Sequence, residues 1–156
     1  MASQRNGINS NNHDGIWLDF SYNNTISNNK INSNNLDGIY LRSNNRNNII
    51  SGNDLSDTET GIFFCLSNNS NNFILNNNIS NNIITNNINY GIKLYAMIGG
   101  YWNKYNNITG NIITDNQLGI ELYKSPDNTI YNNYFFNVDN ALDDRNNVWN
   151  LNPPIP

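Results

Sequence analysis

Gly15-Ile16-Trp17-Leu18 is followed by Gly38-Ile39-Tyr40-Leu41 and by Gly61-Ile62-Phe63-Phe64. The element returns as Gly91-Ile92-Lys93-Leu94 and Gly119-Ile120-Glu121-Leu122, and fades at Ala141-Leu142. Successive starts lie 23, 23, 30, 28 and 22 residues apart. A recurrence in the low twenties with two longer intervals is the mark of a stacked repeat, in which each unit buries its apolar face against its neighbours.

Around this element each repeat carries two more apolar stations. The second is a single aliphatic residue: Ile26, Ile50, Ile74, Ile108, Ile130. The third sits five residues later: Ile31, Leu55, Ile79, Ile113, Phe135. Single apolar residues flanked by polar ones fit very short strands with one face inward, and no 3.6-residue period accommodates them. Between the two stations come Asn28, Gly52, Asn76, Gly110 and Asn132, residue types that tolerate positive φ. The next position is Asn29, Asn53, Asn77, Asn111 and Asn133. An asparagine at every turn of a stack can pair its amide with the same residue above and below, forming a ladder.

The expected fold is therefore all-β: a single right-handed parallel β-helix of about six coils with asparagine-rich turns, spanning residues 1–156 as one domain. The long intervals are expected to bulge as loops, one within Asn76–Asn87 and one at Ala96–Tyr105. Gly99-Gly100 would give the second loop an elbow, and Tyr101, Trp102 and Tyr105 something to bury or to offer.

Composition narrows the function classes. About a quarter of the 156 residues are asparagine, which alone would suggest a disordered polar tract. The ordered Ile and Leu spacing rejects that reading. A net charge of −4 argues against a nucleic-acid partner, which calls for a basic patch. No apolar run approaches the length of a membrane span. Cys65 is the only cysteine, so no intrachain disulfide forms.

The strings Asn23-Asn24-Thr25-Ile26-Ser27-Asn28-Asn29-Lys30-Ile31 and Gly-Ile-x-Leu resemble parallel β-helix repeat proteins of the NosD-like kind. Asn146 to Pro154 looks like the tail of such an array. The resemblance groups the chain with carbohydrate-binding and sugar-hydrolase β-helix domains, many of them extracellular or surface proteins of archaea and bacteria. It implies a fold more firmly than an activity, because one repeat serves enzymes, binders and passive rods. The copper-binding label attached to this kind of protein finds little support in the donors: copper takes His, Cys and Met, and the chain offers His13, Cys65, Met1 and Met97. His13 holds the corner position of Leu36 one coil on and reads as a turn residue. No metal and no cofactor are expected.

Strand alternation orients the repeat's side chains. With Ile16 and Leu18 inward, the outward column reads Trp17, Tyr40, Phe63, Lys93, Glu121, Asp143. A second outward column reads Asp19, Arg42, Cys65, Tyr95, Tyr123, Arg145. Aromatic faces suit sugar rings, so Trp17, Tyr40, Phe63, Tyr95 and Tyr123, together with Trp102, are the candidate ligand-binding residues. The same aromatics would also stabilise parallel strands by stacking. Glu121 and Asp143, on consecutive rungs of one column, would stand about 5–6 Å apart, within range for glycoside cleavage. A solvated ladder of mixed charge is the plainer account of them.

Two functions follow. The first is a non-catalytic extracellular or surface rod that binds a polysaccharide or a surface protein, or assembles into a larger structure. The second is a polysaccharide lyase or glycoside hydrolase using Glu121 and Asp143. Asn6 to Asn12 closely repeats Asn29 to Asn35, so the chain opens inside a coil, as a segment of a longer array would. An uncapped first rung would offer unpaired backbone groups for stacking another copy into a homo-oligomer or filament. Pro153, Pro154 and Pro156 guard the other end.

Overall fold

The structure is a computed structural model describing residues 5–66, 73–97 and 102–150. The chain winds as a parallel β-helix of about six coils, with every strand pair parallel. Neighbouring coils are joined at the usual strand separation of about 4.8 Å.

Three six-stranded sheets form the walls. The broad sheet holds the Gly-Ile-x-Leu strands, in the order Ile16–Asp19, Asp37–Arg42, Thr60–Leu66, Tyr90–Ala96, Leu118–Tyr123 and Asp139–Asp143. The second sheet runs through Ile26, Ile50, Ile79, Ile108, Ile130 and Trp149. The third runs through Ile8, Ile31, Leu55, Ile84, Ile113 and Phe135. The strands of these two sheets are mostly three residues long, and only the central side chain points in. Stacked Ile and Leu columns from the three walls fill the interior, each fully buried aliphatic contributing about 1.5–3 kcal/mol.

A short fourth sheet lies between the broad and second sheets, ordered Trp102–Lys104, Phe73–Leu75 and Asn45–Arg46. It corrects the expected assignment of the third repeat. Ile74 belongs to this fourth sheet, Ile79 holds the second station and Ile84 the third. Asn76–Asn87 is therefore wall and corner rather than a bulging loop. Trp102 is likewise part of the wall, paired with Phe73, and not on a projecting loop. Gly99, Gly100 and Tyr101 of the expected elbow, and the C-terminal prolines, lie outside the described residues.

Glycine stands at the start of the first five broad strands because the next coil passes too close for a side chain. A Cβ on Gly61 would stand 2.7 Å from the Gly91 carbonyl oxygen, and one on Gly91 2.7 Å from that of Gly119. The turn between second and third sheets carries positive φ at Asn28, Gly52, Asn81, Gly110 and Asn132, as expected except that Asn81 stands where Asn76 was placed. Asn76 has positive φ too, at the preceding corner, in line with Asn23, Asn47, Tyr105 and Asp127.

Asparagine ladders occupy all three main corners. At the first, Asn24, Asn48, Asn77, Asn106, Asn128 and Asn147 are linked in series. At the second the series is Asn6, Asn29, Asn53, Asn82, Asn111 and Asn133. Asn77 is thus a ladder residue, but in the neighbouring ladder to the one expected. At the third corner Asn11 bonds to Asn34, and Thr58, Asn87, Asn116 and Asn137 continue the column. The chemistry repeats: in each interior step the backbone N–H and Nδ2 of one asparagine donate to the Oδ1 of the next. The Asn82 Nδ2 also reaches back to the Ile50 carbonyl at 3.0 Å. One side chain thereby closes a corner that has no regular strand bonds and leaves its own polar atoms satisfied.

Candidate functional site

The outward face of the broad sheet gathers most of the chain's polar and aromatic chemistry. Its central column runs in register through Trp17, Tyr40, Phe63, Lys93 and Glu121. Trp17 is 49% exposed; Tyr40 and Phe63 are half-buried. The rings contact in sequence, with centroids 5.6 Å apart for Trp17 and Tyr40 and 5.4 Å for Tyr40 and Phe63. His13 extends the run, its ring stacked on Trp17 at 5.9 Å and its Nδ1 2.9 Å from Asp14 Oδ2. The second column places Asp19, Arg42, Cys65, Tyr95 and Tyr123 in register, with Tyr95 and Tyr123 stacked at 5.1 Å.

Lys93 interrupts the aromatic run and organises its lower half. Its Nζ lies 2.8 Å from Glu121 Oε2, with the two side chains only 17% and 14% exposed. The same ammonium sits 3.9 Å from the Tyr90 ring centroid and 5.3 Å from that of Tyr95. Burial alone would lower the Lys93 ammonium, but its bonds to Glu121 and Tyr90 outweigh this and hold it above the ordinary lysine range. Tyr90 belongs to a third column that the sequence reading passed over. The residue immediately before each strand glycine (Asp14, Asp37, Thr60, Tyr90, Leu118) lines that edge of the face. Its invariant place beside the glycine was the available signal.

In this third column Asp37 is buried, and its backbone N–H donates to Asp14 Oδ1 at 3.0 Å. Burial and the neighbouring Asp14 carboxylate push the Asp37 carboxyl up to about 7. Burial likewise raises the Tyr40 phenol, which hydrogen-bonds Cys65, and burial raises the Cys65 thiol. Cys65 is therefore a half-buried neutral thiol within the face and not an activated nucleophile.

The expected carboxylate pair is not in one column. Leu142 stands in register with Glu121, and Asp143 with the inward Leu122. Asp143 closes the end of the coil: its Oδ2 accepts from Trp149 Nε1 at 2.7 Å and its Oδ1 from Asn147 Nδ2 at 2.8 Å. Arg145 lies beyond the last broad strand, so it does not join the second column. Trp102 sits on the fourth sheet with the Lys104 ammonium 4.5 Å from its ring centroid, away from the broad-face columns.

The coil geometry, the glycine column and the three asparagine ladders together define a repeat that can be compared with known families. The family described as "Periplasmic copper-binding protein (NosD)" matches residues 2–155. The chain belongs to that family. No curated protein and no solved structure matches it significantly. The copper named in the family description calls for soft donors such as His, Cys and Met. Among the described residues no three His, Cys, Asp or Glu side chains come together as a metal site. His13, Cys65 and Met97 fall on different coils, and the Cys65 thiol is held protonated by burial. This NosD-family chain does not assemble the soft-donor set that copper requires from these residues. Among the described residues no helix is long and apolar enough to cross a membrane.

Proposed function

We propose that this NosD-family β-helix is a non-catalytic rod acting in the periplasm or at the cell surface, and that its broad face holds a glycan. The observation that carries the reading is the pair of ring runs on one wall, Trp17–Tyr40–Phe63 and Tyr95–Tyr123, each with rings about one strand spacing apart. Strand stacking alone would account for ring contact, but it does not require an aromatic left as open as Trp17. The C–H faces of consecutive sugar units lie flat on such a run, with Arg42 and Asp19 beside it for carboxylate and hydroxyl groups. A rigid wall spends little ordering entropy on binding an extended chain. The rings serve as a platform, with Glu121 committed to Lys93 and Asp143 to Trp149.

The test is a glycan array with the wild-type protein, followed by calorimetry on the best ligand with Trp17→Ala and Tyr40→Ala. Binding should weaken at least tenfold in each variant, with thermal stability changed far less than affinity. Absence of any glycan ligand, or affinity indifferent to both substitutions, would overturn the reading.

A further inference from the structure

A second set of exposed rings stands at the corner that follows the first broad strand. Phe20 comes directly after Asp19, is 58% exposed, and is held at φ 46°. That is the left-handed region, where a bulky side chain is strained. The equivalent corner carries Ser43 in the next coil and Lys124 in a later one, at φ 62° and 48°. Phe20 is not among the residues packed on the core. The corner imposes positive φ on whichever residue stands there, but nothing in the packing calls for that residue to be a bulky aromatic with its ring in water. Two residues on, Tyr22 is 66% exposed and bridges by its backbone to Arg46 of the next coil.

Phe20, Tyr22 and Asn23 from one coil and Asn44, Arg46 and Asn47 from the next line a groove of about 520 Å³. That is within the size range of small-ligand sites. Among the described residues no carboxylate lines it, although the chain as a whole carries −4. Arg46 is exposed, and none of the ion pairs among the described residues involves it. The grooves on the opposite corner differ in sign: Asp57 lines both of them and Asp115 one. The Phe20 groove thus combines two open rings, one uncommitted guanidinium and three carboxamides. Asn44 is fixed there by its Oδ1, which accepts from the Phe73 N–H at 2.8 Å, and Asn47 Nδ2 reaches Asn23 Oδ1 at 3.4 Å.

We propose that this groove is a second binding site, distinct from the broad-face columns, for an anionic saccharide whose carboxylate or sulfate is held by Arg46 while a sugar ring rests on Phe20 or Tyr22. A guanidinium presents paired N–H donors that match either anion, and the carboxamides supply donors and acceptors for hydroxyl groups. The site shares no residue with the Trp17 column, so it stands or falls independently of the function proposed above.

The experiment is calorimetry on the whole chain with three probes: trigalacturonate, a sulfated heparin disaccharide, and neutral maltotriose. At least one anionic probe is expected to bind at least tenfold more tightly than maltotriose, with affinity falling as salt rises. Which anion binds identifies the source of the charge. Arg46→Gln should weaken that binding at least tenfold, and Lys30→Gln, an exposed cation on another wall, should leave it unchanged. Phe20→Gly separates a binding role from a structural one, because glycine relaxes the positive φ. It should weaken binding at least tenfold while leaving Tm the same or higher. Failure of both anionic probes to bind at millimolar concentration, equal affinity for maltotriose, unchanged affinity in Arg46→Gln, or a clear fall in Tm for Phe20→Gly would each overturn the assignment.

Discussion

Asn77 and Asn106 are joined twice: the backbone N–H and the Nδ2 of Asn77 both donate to Asn106 Oδ1, at 2.9 and 3.0 Å. Asn77 Oδ1 in turn accepts the same two bonds from Asn48, and its Nδ2 also reaches the Asn45 carbonyl. All three ladder residues are essentially inaccessible to water. Truncating Asn77 to alanine strands both Asn48 donors, removes a donor from the Asn45 carbonyl and leaves Asn106 Oδ1 with the backbone bond alone. Each unsatisfied group costs about 1–3 kcal/mol. Thermal or urea unfolding should show Asn77→Ala clearly destabilised, whereas Asn35→Ala, at an exposed turn position, should stay within about 0.5 kcal/mol of wild type. Equal effects would mean that water replaces the ladder bonds.

The glycine column makes a sharper steric prediction. Gly91→Ala places a methyl group 2.6 Å from the Ile113 side chain and 2.7 Å from the Gly119 carbonyl oxygen, so the coils must separate locally. A loss of about 1–3 kcal/mol is expected. Gly7→Ala is the matched control, because the nearest atom to its new methyl is 3.8 Å away. Unfolding curves for both variants decide the matter, and an unperturbed Gly91→Ala would show that the wall yields.

Asp37 ties stability to pH. Its folded-state carboxyl titrates at about 7 against 3.8 for an ordinary aspartate. Between these values the folded chain keeps a proton that the unfolded chain has lost. The contribution of this group is therefore fully present below about pH 4 and is lost as pH rises toward 7, by on the order of 4 kcal/mol. Asp37→Asn removes the titration without removing the backbone bond to Asp14. The variant should melt higher than wild type at pH 8, and the difference should shrink toward pH 4. A difference independent of pH would place the Asp37 carboxyl in its ordinary range.

Lys93 and Glu121 are coupled within the wall. Lys93→Met leaves a largely buried Glu121 carboxylate without its counter-charge and should cost about 1–3 kcal/mol. Adding Glu121→Gln should recover a substantial part of that loss. A double-mutant cycle in chemical denaturation reads the coupling directly, and strict additivity would mean the pair is effectively solvated.

Periodicity alone made most of the fold legible. The glycine spacing, the single-residue apolar stations and the Asn/Gly turns are consequences of one coil repeating, and each of them is local. Insertions break this periodicity. In the third repeat, spacing counted forward from Gly61 reaches Ile74 first, but only coil-to-coil pairing reveals that Ile79 is the residue stacked between Ile50 and Ile108. The last coil slipped by one residue for a related reason. Ala141 was matched to a glycine, whereas the carbonyl oxygen that packs against Gly119 is that of Asn140. This shift moves Asp143 from the outer face to the inner register and separates it from Glu121. The broad-face rings were readable from strand alternation. The Phe20 corner was not, because its significance lies in a backbone angle and a missing counter-charge, neither of which has a period.

The ladders also govern how this chain ages. An asparagine loses ammonia when the backbone nitrogen of the next residue attacks its side-chain carbonyl and closes a succinimide. In the interior steps of the first two ladders that nitrogen is already engaged: the N–H of Asn78 donates to the Asn48 carbonyl, that of Ile83 to Asn53, and that of Ile112 to Asn82, at 2.8–2.9 Å. The side-chain carbonyl under threat is fixed by two donors of its own. A sequence that would deamidate at many positions as a loose chain is thus chemically preserved while it stays coiled. Its durability is set by how rarely a coil opens, and damage should begin at exposed Asn6-Gly7 long before it reaches Asn77 or Asn82.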